Sequence, residues 1–251
     1  VRVSIDGVRE VHDARRPFRT GSGSSHDAVL ANLRAVAPLI PVTLVMTLSP
    51  GGVARLPEFL DELDAAGILP HLAAISPGIE QAYLNAEGAP CGGGQSCIKS
   101  AAAAGDYCAA LRLLADRGVP TGAELLQADN CSVMMNGGML VYAPDGRIYK
   151  CPSLMGRDEW AVGHVARERL DDRYYELVNR ELWRPCLDSG DCPFVPMCGC
   201  AAGCRYAAHL AHGDWMGCAC ARGFFEKAVP ELMRLQYTKT MNAHVRQEGL
   251  Q

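Results

Sequence analysis

Seven of the twelve cysteines in this 251-residue chain fall between Cys186 and Cys220, and Cys131 and Cys151 bring the C-terminal half to nine. The stretch from Pro185 to Cys220 shows little hydrophobic periodicity and is broken by many glycines and prolines. A segment so poor in regular structure holds together only through cross-links, so either disulfides or metal must account for its thiols.

A disulfide-stapled secreted domain is usually small and spreads its cysteines over the whole domain. Here the front half reads as parallel βα units, and no basic-then-apolar leader opens the chain. Structural zinc usually appears as paired Cys-x2-Cys knuckles, and none is present. Five residues separate Cys186 from Cys192 and Cys192 from Cys198, and three separate Cys200 from Cys204. His209 and His212 stand at helical spacing and read as a solvated helix face. An iron–sulfur cubane needs four thiolates around one centre and tolerates irregular spacing, because the loop folds around the cluster. Nine thiols suffice for two such clusters.

The front half alternates strand and helix signals. Val1 to Ile5 is a short β-branched run, Asp27 to Val36 carries apolar residues at helical spacing, and Pro41 to Leu48 is a continuous apolar strand. Leu56, Phe59, Leu60 and Leu63 predict a helix ending near Gly67, Ile68 to Ile75 a strand, and Ala101 to Arg117 a helix ending at Gly118. Strand–helix alternation of this kind predicts parallel βα units, too few to close an eight-stranded barrel. The texture changes near Gln127. Met139 to Tyr142 and Arg147 to Lys150 flank Pro144-Asp145-Gly146 and predict a hairpin. Helices are expected at about Leu170 to Leu182 and Ala221 to Leu235. Residues 1–127 and 128–251 are therefore read as two domains.

Charge excludes some functions. Twenty-four basic residues against 28 acidic ones, with no long run of either sign, disfavour a nucleic-acid binder. Ala35 to Ala54 carries no charge, but Pro38, Pro41, Pro50 and Gly51-Gly52 would break a helix, so no membrane span is predicted.

These residues carry a family likeness. Cys131, fourteen residues, Gly146, four residues and Cys151 resemble the opening of the SPASM domain, the auxiliary iron–sulfur domain of radical SAM enzymes that modify peptides and proteins. Cys186, Cys192, Cys198 and Cys204, with Cys218 or Cys220, resemble its second block. Trp160 and Gly163, behind the hairpin, are similar too. Independently, Val3-Ser4-Ile5-Asp6-Gly7, His12-Asp13, Arg16 and Gly21-Ser22-Gly23 resemble the middle of the radical SAM partial barrel.

The resemblance implies an α/β fold, the rear part of a partial (β/α) TIM-type barrel followed by an irregular cysteine-rich SPASM domain with a β-hairpin and helices. It implies two auxiliary 4Fe-4S clusters, one on Cys131, Cys151 and Cys204 with its fourth site taken by another thiol or open to a substrate thiolate, the other on Cys186, Cys192 and Cys198 with Cys218 ahead of Cys220 as the fourth. Ser4, Asp6 and Arg16 are implied for the S-adenosylmethionine side of the barrel. In the intact family a third cluster and S-adenosylmethionine generate a radical that takes hydrogen from a peptide. A peptide or protein substrate, a reductant such as flavodoxin or ferredoxin, and a cytoplasmic location follow as expectations.

Three departures qualify the likeness. The Cys-x3-Cys-x2-Cys motif of the radical-generating cluster is absent, so the chain is expected to be the C-terminal part of such an enzyme, inactive alone. Five residues rather than two separate Cys186 from Cys192. Pro152 follows Cys151 where sulfatase-maturing relatives have an Asp base, which favours another kind of peptide maturase. Cys91, Cys97 and Cys108 match no block, and Cys108 is read as a buried small hydrophobe. The alternatives are a non-catalytic electron-transfer or peptide-binding module and a zinc-stabilised interaction domain.

Overall fold

A computed structural model of the chain describes residues 1–49, 51–84, 90–97, 101–121, 133, 139–178, 192–194, 206, 208–209, 213–214 and 222–248, with the backbone alone described for 80–84, 90–97 and 242–248. The chain divides into two compact units. The first comprises Val1–Ala82, Gln95–Leu126 and Phe224–Gln251, the second Tyr83–Gly94 and Gln127–Gly223.

The first unit is built on a parallel sheet. Strands β1 (Arg2–Ser4), β2 (Val42–Leu48) and β3 (Leu72–Leu84) pair in parallel, with β4 (Pro90–Cys97) next in order. Parallel neighbours require crossovers, which here contain α1 (Arg9–Arg15), α2 (Ser25–Val36) and α3 (Leu56–Ala65). β2 alternates in burial: Val42, Leu44, Met46 and Leu48 are buried, while Thr43, Val45 and Thr47 are half-open. The buried set joins Leu30 and Leu33 of α2 and Phe59, Leu60 and Leu63 of α3 in one core. The last three are fully buried, each contributing about 1.5–3 kcal/mol of transfer free energy.

The sequence pattern misses α1, because its seven residues bury a single side chain, His12, and present no apolar stripe. The strand expected over Ile68 to Ile75 is instead a 3-10 turn (Leu69–His71) followed by β3. Pro70 has no N–H for a sheet ladder, so the chain turns before it joins the sheet. Helix α4 (Ala103–Asp116) buries Cys108, Ala110, Leu111 and Leu114.

The closing helix, α6 (Arg222–Glu248), packs within this first unit and outruns the expected Leu235. Phe224, Phe225, Ala228 and Leu232 are buried. The Phe224 ring lies 5.5 Å from that of Tyr107 on α4, Arg112 pairs with Glu231 at 3.3 Å, and Lys227 donates to the Ala101 carbonyl at 3.3 Å. From Met233 to Met241 nearly every residue is exposed, so the apolar period that marks the first turns disappears.

In the second unit β5 (Val141–Tyr142), β6 (Arg147–Tyr149) and β7 (Gly163–His164) form an antiparallel sheet. The turn between β5 and β6 needs Gly146, whose φ is +90°, a conformation that costs an L side chain. β7, two residues long, carries too little pattern to be expected. Helix α5 (Asp172–Val178) lies within the expected Leu170 to Leu182, of which 179–182 fall outside the described residues. Lys150 is fully buried, its ammonium 4.7 Å from the Tyr174 ring centre on α5. Among the described residues no helix is long and apolar enough to cross a membrane.

Candidate functional site

In open parallel sheets ligands bind at the carboxyl ends of the strands. In the first unit that end is organised by Asp6, the second residue after β1. Its carboxylate is 3% exposed and accepts from Arg16 Nε at 2.8 Å and from the Thr47 backbone N–H at 3.1 Å. Its own backbone N–H donates to His12 Nδ1 at 3.1 Å. One residue therefore ties β1 to α1, to the segment after α1 and to the end of β2. Arg15 reinforces the joint by donating to the Thr47 carbonyl at 2.5 Å.

Of the three residues expected near S-adenosylmethionine, the fold thus joins Asp6 and Arg16. Ser4, two residues before Asp6, is exposed at the end of β1, in register with Val45, which is in turn in register with Ser76 of β3. Ser4, Thr43, Val45, Thr47 and Ser76 form a row of small, partly open residues on the face turned away from the helices.

Beneath the same strand ends lies a cleft of about 250 Å³, lined by Val8, Val11, Met46, Leu48 and Leu56, with Asp6, Ser49 and Arg55 among its polar groups. Arg55 is held by Glu58 at 2.9 and 3.0 Å and by Glu10 at 3.4 Å. Gly51, on the rim, donates its N–H to Asp106 of α4 at 2.9 Å. The sequence marks Gly51-Gly52 only as a helix breaker. The Arg55–Glu58 spacing was the available signal for an ordered side chain there.

Behind Asp6 sit two buried imidazoles, His12 and His26, with ring centres 5.8 Å apart. Burial pushes the His12 pKa below the ordinary histidine value; Asp6 opposes that, while His26 and Arg16 add to it. The Asp13 carboxyl is lowered to about 2, first by the His26 backbone N–H and then by the Ser24 hydroxyl.

Of the seven thiols expected as cluster ligands, Cys151 and Cys192 are described; Cys131, Cys186, Cys198, Cys204 and Cys218 fall outside the described residues. Cys151 is the second residue after β6, behind the buried Lys150. Both it and Cys192 are half-buried and outside any disulfide. Such thiols suit the soft donor set of an iron–sulfur cluster. Among the described residues no three metal-binding side chains converge. Cys108 is buried on α4, as expected, and burial followed by Glu231 raises its thiol pKa.

Comparison places this fold among known ones. The structure of native anSMEcpe with bound AdoMet superposes with a TM-score of 0.62 at 15% identity, covering 95% of this chain and 69% of that one. With AdoMet and the Kp18Cys peptide bound, the same protein gives a TM-score of 0.58 at 15% identity and the same coverage. With AdoMet and the Cp18Cys peptide the TM-score is 0.59, again at 15% identity, 95% of this chain and 69% of that. No protein-family model and no curated protein sequence matches the chain. The chain thus has a mixed α/β fold similar to that of an AdoMet- and peptide-binding protein.

Proposed function

We propose that this chain serves radical chemistry on a peptide or protein substrate, holding AdoMet at the strand ends of its first unit and two auxiliary 4Fe-4S clusters in its thiol-rich segment. The observation that carries this reading is the likeness over 95% of the chain to a fold seen with AdoMet bound. The nine thiols of the C-terminal half supply the matching donor set.

In such chemistry the clusters supply single electrons and AdoMet supplies the hydrogen-abstracting group. The residues of this chain bind and orient. Asp6 holds Arg16 at the mouth of the sheet, and Ser4 offers a hydroxyl on the open face. One cluster is assigned to Cys131, Cys151 and Cys204, the other to Cys186, Cys192, Cys198 and Cys218. The sequence carries no Cys-x3-Cys-x2-Cys motif, so the test is of loading rather than turnover.

Anaerobic reconstitution with iron and sulfide is expected to give a brown protein with broad absorbance near ~400 nm and about eight irons per chain. Cys151→Ala is expected to lose about four of them. A colourless protein that takes up zinc instead would overturn the proposal.

A further inference from the structure

The second unit contains two arginines whose placement the proposed chemistry does not use. Arg157 lies over the Tyr206 ring, its Cζ 5.2 Å from the ring centre, and Arg173 lies over Trp160 at 5.0 Å. The two stacks adjoin. The Trp160 N–H donates to the Arg157 carbonyl at 2.9 Å, closing a 3-10 turn (Asp158–Trp160) that brings these side chains to one side. Across from them Tyr206 and His209 stand one helical turn apart, and the His209 ring meets the edge of Trp160 at 4.7 Å.

A guanidinium held over a ring by cation–π attraction is ordered by that contact, while its N–H donors stay available to a planar acceptor. Nearby carboxylates are engaged elsewhere: Asp158 with Arg147, Asp171 with Arg167 at 2.8 Å, and Asp172 with Arg169 at 3.4 Å. Glu159 and Asp214 lie within the field of His209, both exposed, and neither forms an ion pair with Arg157 or Arg173 among the described residues. Among the described residues these two half-buried guanidinium groups therefore have no acidic partner, and a guanidinium fork is the donor set that suits bidentate carboxylate recognition.

We propose that this paired stack binds the carboxylates of an acidic peptide. The assignment rests on the reading of the substrate as a peptide, and it narrows the substrate class. The shared chemistry is a carboxylate, supplied either by Glu and Asp side chains or by a peptide C-terminus.

The experiment uses the full chain and three fluorescein-labelled peptides of equal length, read by anisotropy. One carries Glu residues and an amidated C-terminus, one carries Gln with a free C-terminal carboxylate, and one carries Gln and is amidated. A carboxylate peptide is expected to bind about tenfold or more tightly than the uncharged one, and which of the two does so identifies the source. Arg157→Gln and Arg173→Gln are each expected to remove about tenfold of that affinity.

Should a Gln variant fail to fold, Arg157→Lys or Arg173→Lys takes its place. Each keeps the charge and is expected to weaken binding through loss of the fork. Equal binding of all three peptides, no binding, or folded variants that bind like the parent would overturn the proposal. Iron counted on the same samples separates the two readings. An iron-loaded chain that does not discriminate overturns this site alone, and an iron-refusing chain that does discriminate overturns the cluster assignment alone.

Discussion

His12 joins stability to pH through one hydrogen bond. Its Nδ1 accepts the Asp6 backbone N–H, so the folded chain holds that nitrogen unprotonated. Burial lowers its pKa, whereas in the unfolded chain it titrates at the ordinary value of about 6.5. Below that value the unfolded state binds the extra proton, so folding free energy declines as pH falls, by at most about 1.4 kcal/mol per pH unit for one proton. Asp13, lowered to about 2, adds a second loss only as pH drops beneath the ordinary carboxylate range. The urea midpoint is expected to be lower at about pH 5.5 than at about pH 7.5. His12→Gln should reduce that difference, leaving the part due to His209, which burial also lowers. An unchanged pH difference in the variant would refute the role given to His12.

At the scale of elements, the hairpin of the second unit depends on one glycine. A Cβ on Gly146 would lie 2.8 Å from both His164 Cε1 and Nε2 and 3.0 Å from Val165, at a φ that L side chains avoid. His164 cannot easily yield, since its Nε2 meets the Asp145 carbonyl at 3.0 Å and its Nδ1 accepts from Ala166 at 3.1 Å. Gly146→Ala should therefore cost about 1–3 kcal/mol, read as a lower thermal midpoint. A midpoint equal to that of the parent would show that the turn relaxes freely.

The elements that were legible in the sequence share one property: a long apolar period or a strong turn signal. β2, α3 and the β5–β6 hairpin have it. The charged α1, the two-residue β7 and the outer turns of α6 do not. The site divides along the same line. Asp6 and Arg16 are close in sequence and carry a recognisable motif. Arg157 and Tyr206 are brought together only by tertiary folding and leave no local trace.

For the molecule as a whole, the route of the chain matters more than any one contact. The first unit is assembled from three separate stretches, and α6, its last piece, follows the whole of 127–223. What keeps α6 in place is its buried face of Phe224, Phe225, Ala228 and Leu232 and its two polar contacts with the α4 region. A specific protease site inserted at the exposed Met155-Gly156 turn tests these contacts together with the β6–β7 pairing, which also spans the cut. After a single cut, the two fragments are expected to co-elute from a sizing column and to part only in concentrated guanidinium. Release of the α6 fragment in plain buffer would mean that covalent connection alone retains it.

The same route sets an order of events during synthesis. The ribosome delivers every thiol of the cysteine-rich segment before it delivers the helix that completes the first unit. Any metal captured by those thiols as they emerge would meet a nascent chain whose first unit still lacks its last helix.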